Sequence, residues 1–148
     1  VVFHRSLAYM DAGSRGYELL IEDGKVAFGL HHMWPGNSLK VRTKDRLRPD
    51  EWTQITVSYD GSSTAAGVKI YLNGTPAAVD MIRDKLTKDI TYGNEPNFAV
   101  GYRFRDNGFK EDDDNYRTSS RIAASRPSIV SGDMRSFIAF LITLIDSE

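Results

Sequence analysis

Five turn signals punctuate the first 110 residues: Asp23-Gly24, Pro35-Gly36-Asn37, Asp60-Gly61, Asn73-Gly74 and Asn107-Gly108. Glycine and asparagine tolerate positive φ, so these strings suit tight connections between antiparallel strands. Between them the apolar residues recur with period two. Val26, Phe28 and Leu30 alternate with Lys25, Ala27 and Gly29; Ile55, Val57 and Tyr59 alternate with Gln54, Thr56 and Ser58; Val68, Ile70 and Leu72 alternate with Lys69, Tyr71 and Asn73. This is the pattern of half-buried strands. Tyr17–Glu22, Ser38–Thr43 and Phe98–Phe104 supply further strands, residues 77–83 another, and residues 84–89 a short helical turn or loop. Many short strands with frequent turns predict an all-β chain of two packed antiparallel sheets.

A chain of 148 residues suits one domain, and 41% apolar content with 11% aromatics supplies its core. A formal charge of −1 argues against wholesale binding to nucleic acid or an anionic membrane, so any electrostatic role is local. The absence of cysteine removes disulfides, thiolate metal sites and cysteine nucleophiles. Val1-Val2-Phe3-His4-Arg5 shows neither an initiating Met nor a signal peptide and reads as the start of an internal fragment. The longest apolar stretch, residues 137–145, falls well short of the roughly 20 residues that span a bilayer, so it predicts a buried strand or helix and no membrane span.

Beyond Lys110 the composition shifts. Residues 111–115 are an acidic run, and residues 117–136 are rich in Ser and Arg without periodicity. The chain thus divides into a body, residues 1–110, and a tail, residues 111–148.

The string Glu51-Trp52-Thr53-Gln54-Ile55-Thr56-Val57-Ser58-Tyr59-Asp60-Gly61, followed by Gly67-Val68-Lys69-Ile70-Tyr71-Leu72-Asn73-Gly74, resembles the laminin G-like, concanavalin A-like jelly-roll domains. Arg15-Gly16-Tyr17-Glu18-Leu19-Leu20, His32-Met33-Trp34-Pro35-Gly36-Asn37 and residues 101–110 are similar to the version carried by large exported bacterial proteins that also contain cytochrome c-type domains. The resemblance covers residues 1 to about 110. It implies a jelly-roll sandwich that serves as a recognition module, exported to the periplasm or cell surface. Relatives usually carry an earlier aromatic-bearing strand and a closing Gly-x-Ile-Asp-Glu strand. Against that pattern the domain is incomplete at its N-terminus, and residues 111–148 are a divergent replacement or the product of a shifted reading frame. Absent strands would leave sheet edges open, and residues 137–145 are a candidate to fill one.

Glycoside hydrolases of this fold need paired carboxylates on one strand face, typically Glu-x-Asp-x-x-Glu or Glu-x-Asp-x-Glu. No such string occurs; Glu18 and Glu22 are separated by Leu20 and two further residues. Catalysis is not expected, and hydrolysis stands only as a remote alternative. His31 and His32 point to opposite faces of an extended strand and cannot readily share one metal ion. His32 is expected to make hydrogen bonds beside Trp34.

Trp34 falls in a predicted loop, where an indole can stack on a sugar ring while Asn37 or His32 bonds hydroxyls. The alternative is a Trp that plugs the end of the sandwich. Lys40, Arg42, Lys44, Arg46 and Arg48 occupy every second position, so an extended segment would display a line of cations suited to an acidic polysaccharide. The plainer reading is a solvated strand face. Trp52 matches the resembled family's core Trp and is expected to be structural. Calcium is common at the rim of this fold, and Asp60, Asp106 and Asn107 are its weak candidate ligands, although no spacing forms a defined calcium loop. Asn73-Gly74-Thr75 matches a glycosylation acceptor, but a hairpin turn already accounts for Asn-Gly there.

The expectation is therefore a non-catalytic module that binds carbohydrate or another extracellular ligand within a larger exported protein. The alternative is a structural module packed against neighbouring domains of its parent.

Overall fold

The computed structural model describes residues 1–6, 15–90, 98–100, 121–124 and 140–145. The chain is an all-β sandwich of two antiparallel sheets. Its strands in chain order are β1 (Phe3–Arg5), β2 (Gly16–Glu22), β3 (Lys25–Met33), β4 (Asn37–Thr43), β5 (Thr53–Tyr59), β6 (Val68–Leu72), β7 (Thr75–Pro76), β8 (Val79–Asp84), β9 (Phe98–Val100), β10 (Arg121–Ala124) and β11 (Phe140–Ile145). One six-stranded sheet runs β8-β4-β3-β2-β1-β9, and one five-stranded sheet runs β10-β11-β5-β6-β7.

The tight turns form where the sequence places them. Asp23 and Gly24 have φ of 52° and 73°, and Asn73 and Gly74 have 51° and 78°, the paired left-handed conformations of a two-residue hairpin. Asn73 also uses its side chain, whose Oδ1 accepts from the Gln54 amide at 2.8 Å. The Asp60-Gly61 connection is longer. It passes through a 3-10 turn at Ala65–Gly67, anchored to β8 by the Ala65 amide donating to Asp84 Oδ1 at 2.8 Å. Residues 85–90 form no helix, and the segment expected as one strand over 77–83 is β8, preceded by the short β7. Of the strand expected at Phe98–Phe104, residues 98–100 form β9 and the rest lies outside the described residues.

Period-two alternation builds the core. Phe3, Leu19, Phe28 and Val41 stand in register across β1 to β4 and are at most 1% exposed. Ile55, Val57, Val68 and Ile70 meet them from the other sheet. Trp52 is not part of this core; it is 49% exposed. Thr53, Ile55 and Val57 face inward, so the alternate position at 52 lies on the outward side, and parity overrides the resemblance there.

The apolar segment near the C-terminus enters the five-stranded sheet. Phe140–Leu144 of β11 pairs with β5 from Val57 back to Thr53, and β10 pairs with the far side of β11. The edge of β5 is thereby covered.

β3 departs from simple alternation. Val26, Phe28 and Leu30 face the core, yet Ala27, Gly29 and His31 on the opposite side are also buried. The outer face of the six-stranded sheet is therefore not a plain solvated surface, and its polar side chains must satisfy one another.

Candidate functional site

Strand register builds a polar row across the non-core face of the six-stranded sheet. His4, Glu18, Gly29, Lys40 and Arg83 are lateral neighbours from β1 to β8. Glu18 is 8% exposed, Lys40 7% and His4 0%, so these groups sit where an unpaired charge is costly. They are paired. Lys40 Nζ bonds Glu22 Oε1 and lies 4.0 Å from Glu18 Oε1. Glu18 and Glu22 reach the same ammonium because residues four apart on a strand share a face.

His31 completes the cluster from two positions along β3. Its Nε2 donates to Glu18 Oε1 at 3.2 Å, across the position of Gly29. Gly29 is required by that ring. A Cβ added there would stand 2.6 Å from both His31 Cε1 and Nε2, well inside contact distance. Trp34 closes the group from the connection between β3 and β4, after a register shift between His31 and Met33 and just before a cis Trp34–Pro35 peptide. Its half-buried ring meets His31 edge-on, with centroids 5.2 Å apart and planes at 74°, and Lys40 Nζ lies 5.3 Å from its centroid. The indole is thus a wall of the polar cluster as well as part of the surface.

Other residues singled out from the sequence have different duties. Asn37 spends its amide on a strap: Nδ2 donates to Thr87 Oγ1 at 2.7 Å, and Oδ1 accepts from the Thr87 and Lys88 amides at 3.2 Å each. His32 turns away from His31, as alternation requires. Its Nδ1 donates to the Asp89 carbonyl at 2.8 Å, which leaves Nε2 to accept from Arg15 Nη2 at 3.4 Å. It is His31, not His32, that lies beside Trp34.

The line of cations expected over residues 40–48 is broken. β4 ends at Thr43, whose Oγ1 accepts from the Val26 amide and donates to the Asp45 carbonyl, turning the chain away. Only Lys40 and Arg42 lie on the strand; Lys40 is buried in ion pairs, and Arg42 is half-buried with its Nε lacking a partner. Lys44 lies beyond the strand, exposed and 3.8 Å from Asp80.

Of the calcium candidates, Asp106 and Asn107 lie outside the described residues. Asp60 Oδ1 accepts from the Ser62 amide at 2.9 Å, and hydrogen bonds from the Ser62 side chain and backbone hold its carboxyl below the ordinary aspartate range. Among the described residues no group of three or more His, Asp or Glu side chains converges as a metal site.

The fold and the polar face come from a sequence that matches a family model over residues 2–121, described as the concanavalin A-like lectin/glucanases superfamily. The chain belongs to this superfamily. No curated protein and no solved structure gives a significant match to it. The superfamily spans both recognition and hydrolysis, so the residues on the sheet must decide between them. Among the described residues no helix is long and apolar enough to cross a membrane.

Sequence reasoning missed His31 and the pairing of Glu18 with Lys40. Parity was the available signal for the carboxylates, since positions 18 and 22 fall on one face. The lateral juxtaposition of positions 18, 29 and 40 was not readable, because it depends on the register of three strands.

Proposed function

We propose that this member of the superfamily is a non-catalytic, lectin-like module that binds carbohydrate on the outer face of its six-stranded sheet, as one part of a larger exported protein. The observation that carries this reading is Trp34. A half-buried indole borders a row of hydrogen-bonding side chains, the pairing of apolar platform and polar groups that sugar rings require.

The charge balance favours neutral over acidic glycans. Lys40, the deepest cation of the row, is already committed to Glu18 and Glu22, and Lys44 lies off the strand beside Asp80. The same pairing argues against hydrolysis, since a glycosidase holds its two carboxyl groups across the scissile bond, whereas here both address one ammonium. No metal is needed for this reading, and calcium at Asp60 would be an addition to it.

Calorimetric titration with neutral and sulfated oligosaccharides, each with calcium and with chelator, tests the reading. Saturable binding of a neutral glycan, insensitive to chelator and weakened about tenfold by Trp34→Ala, is expected. Absence of saturable binding at millimolar ligand, or undiminished affinity in Trp34→Ala, would count decisively against it.

The alternative, a module that packs against neighbouring domains of the parent, draws on exposed apolar side chains elsewhere: Trp52 at 49% and Met81 at 59%. It predicts that Trp34→Ala leaves glycan behaviour unchanged.

A further inference from the structure

Among the described residues, two buried polar atoms on this face lack a hydrogen-bond partner: His31 Nδ1 and Arg42 Nε. Such orphans are uncommon in native interiors and call for an explanation. The two are chemically opposite. With His31 Nε2–H donating to the Glu18 carboxylate, the ring in its neutral form carries a lone pair at Nδ1, an acceptor awaiting a donor. Arg42 Nε–H is a donor awaiting an acceptor. Both belong to the face that carries Lys40, His31 on β3 opposite Ser38 and Arg42 on β4 two residues beyond Lys40.

The complementarity narrows the ligand. An unprotonated inorganic anion such as sulfate would satisfy Arg42 but brings no proton to His31. A metal cation would suit the imidazole but be repelled by the guanidinium. A hydroxyl donates one hydrogen bond and accepts others. Arg42 stands opposite Ala27, four residues along β3 from His31, so different hydroxyls along an oligosaccharide chain would meet the two atoms.

Building on the lectin reading above, we propose that His31 Nδ1 is the specificity-determining acceptor for one hydroxyl of a bound neutral saccharide, and that Trp34 moves from the edge of His31 to stack on that sugar. The His31 ring is pre-positioned for this. Glu18 fixes its tautomer and Gly29 supplies the space in which it lies, so the acceptor is oriented before ligand arrives. Trp34 is the gate. It comes from the connection between β3 and β4, is half-buried and lies edge-on against the His31 ring, so on this proposal the sugar reaches Nδ1 by displacing the indole.

The test is a deoxy-sugar scan on the whole chain. Cello-, manno- and galacto-oligosaccharides identify the neutral probe that binds, and its monodeoxy analogues are then titrated against wild type, Gly29→Ala and His31→Leu, which removes the acceptor, with folding checked by circular dichroism. One deoxy position should lose about tenfold affinity with wild type and under twofold with either variant, the signature of a hydroxyl coupled to His31. In a Trp52→Phe background, which leaves Trp34 as the remaining indole, saturation should change the tryptophan emission.

A wild type that binds the probe with no position sensitive to hydroxyl loss overturns the assignment of His31. So does a deoxy penalty that persists in both variants. If Trp34→Ala still weakens binding in either case, the lectin reading survives without the inference. Emission unchanged at saturation overturns the movement of Trp34. A wild type that binds no neutral oligosaccharide overturns both the inference and the reading beneath it. The wild-type scan keeps the proposal falsifiable even where Gly29→Ala fails to fold.

Discussion

Replacing Lys40 with methionine separates a buried ion cluster from a displayed cation. Methionine keeps most of the lysine stem, so little cavity forms, but the ammonium is lost from between Glu18 and Glu22. Glu18 has a side chain only 10% exposed and would lose a charge partner in a site where solvent compensates poorly. Breaking a buried pair from one side costs about 3–5 kcal/mol. Glu22 is 32% exposed and rehydrates more readily, which places the expectation near 3 kcal/mol. The contact between Lys40 and the Trp34 ring lies within this figure rather than adding to it.

The comparison variant is Lys44→Met. Its partner Asp80 stands 3.8 Å away and the two side chains are 59% and 48% exposed, so the expected loss is at most about 0.5 kcal/mol. For a domain of this size, 3 kcal/mol lowers Tm by roughly 10 °C. Urea denaturation and thermal melts followed by circular dichroism read both variants directly. Equal losses for the two, or a loss under about 1 kcal/mol for Lys40→Met, would refute the claim that Lys40 holds the polar face together.

Further outcomes follow from the same geometry. Asn37→Ala removes the three hydrogen bonds that tie residues 87 and 88 to β4, and a cost of about 1–2 kcal/mol is expected, with faster amide exchange confined to residues 85–90. Exchange that stays slow there would show the strap to be redundant. Asp60 has a folded-state pKa held low by Ser62, so the unfolded chain binds its proton first as pH falls. Its contribution to stability is present above about pH 4, the unfolded value, and disappears as pH drops through the folded one. Asp60→Asn should therefore flatten the acid limb of the stability curve, and an unaltered limb would argue against it.

Much of the sandwich follows from local chemistry. The Asp23-Gly24 and Asn73-Gly74 turns occur because Asp, Asn and Gly tolerate the left-handed conformations those hairpins demand, and the alternating residues of β3, β5 and β6 face the core as their period requires. The error at Trp52 came from weighing resemblance above parity. The error over residues 40–48 came from extending a period past the point where Thr43 ends the strand through its own hydrogen bonds.

The sequence by itself determined which side of each strand a residue occupies, because alternation is a property of the strand alone. It therefore placed Glu18, Glu22, Lys40 and Arg42 on outward positions without saying what they would meet there. Tertiary structure decided the neighbours. That Glu18, Gly29 and Lys40 stand side by side, that the His31 ring lies across Gly29, and that β11 pairs with β5 all depend on lateral register between distant segments. Register is set by the fit of the whole core, and only that fit turns scattered polar residues into one buried, ion-paired face.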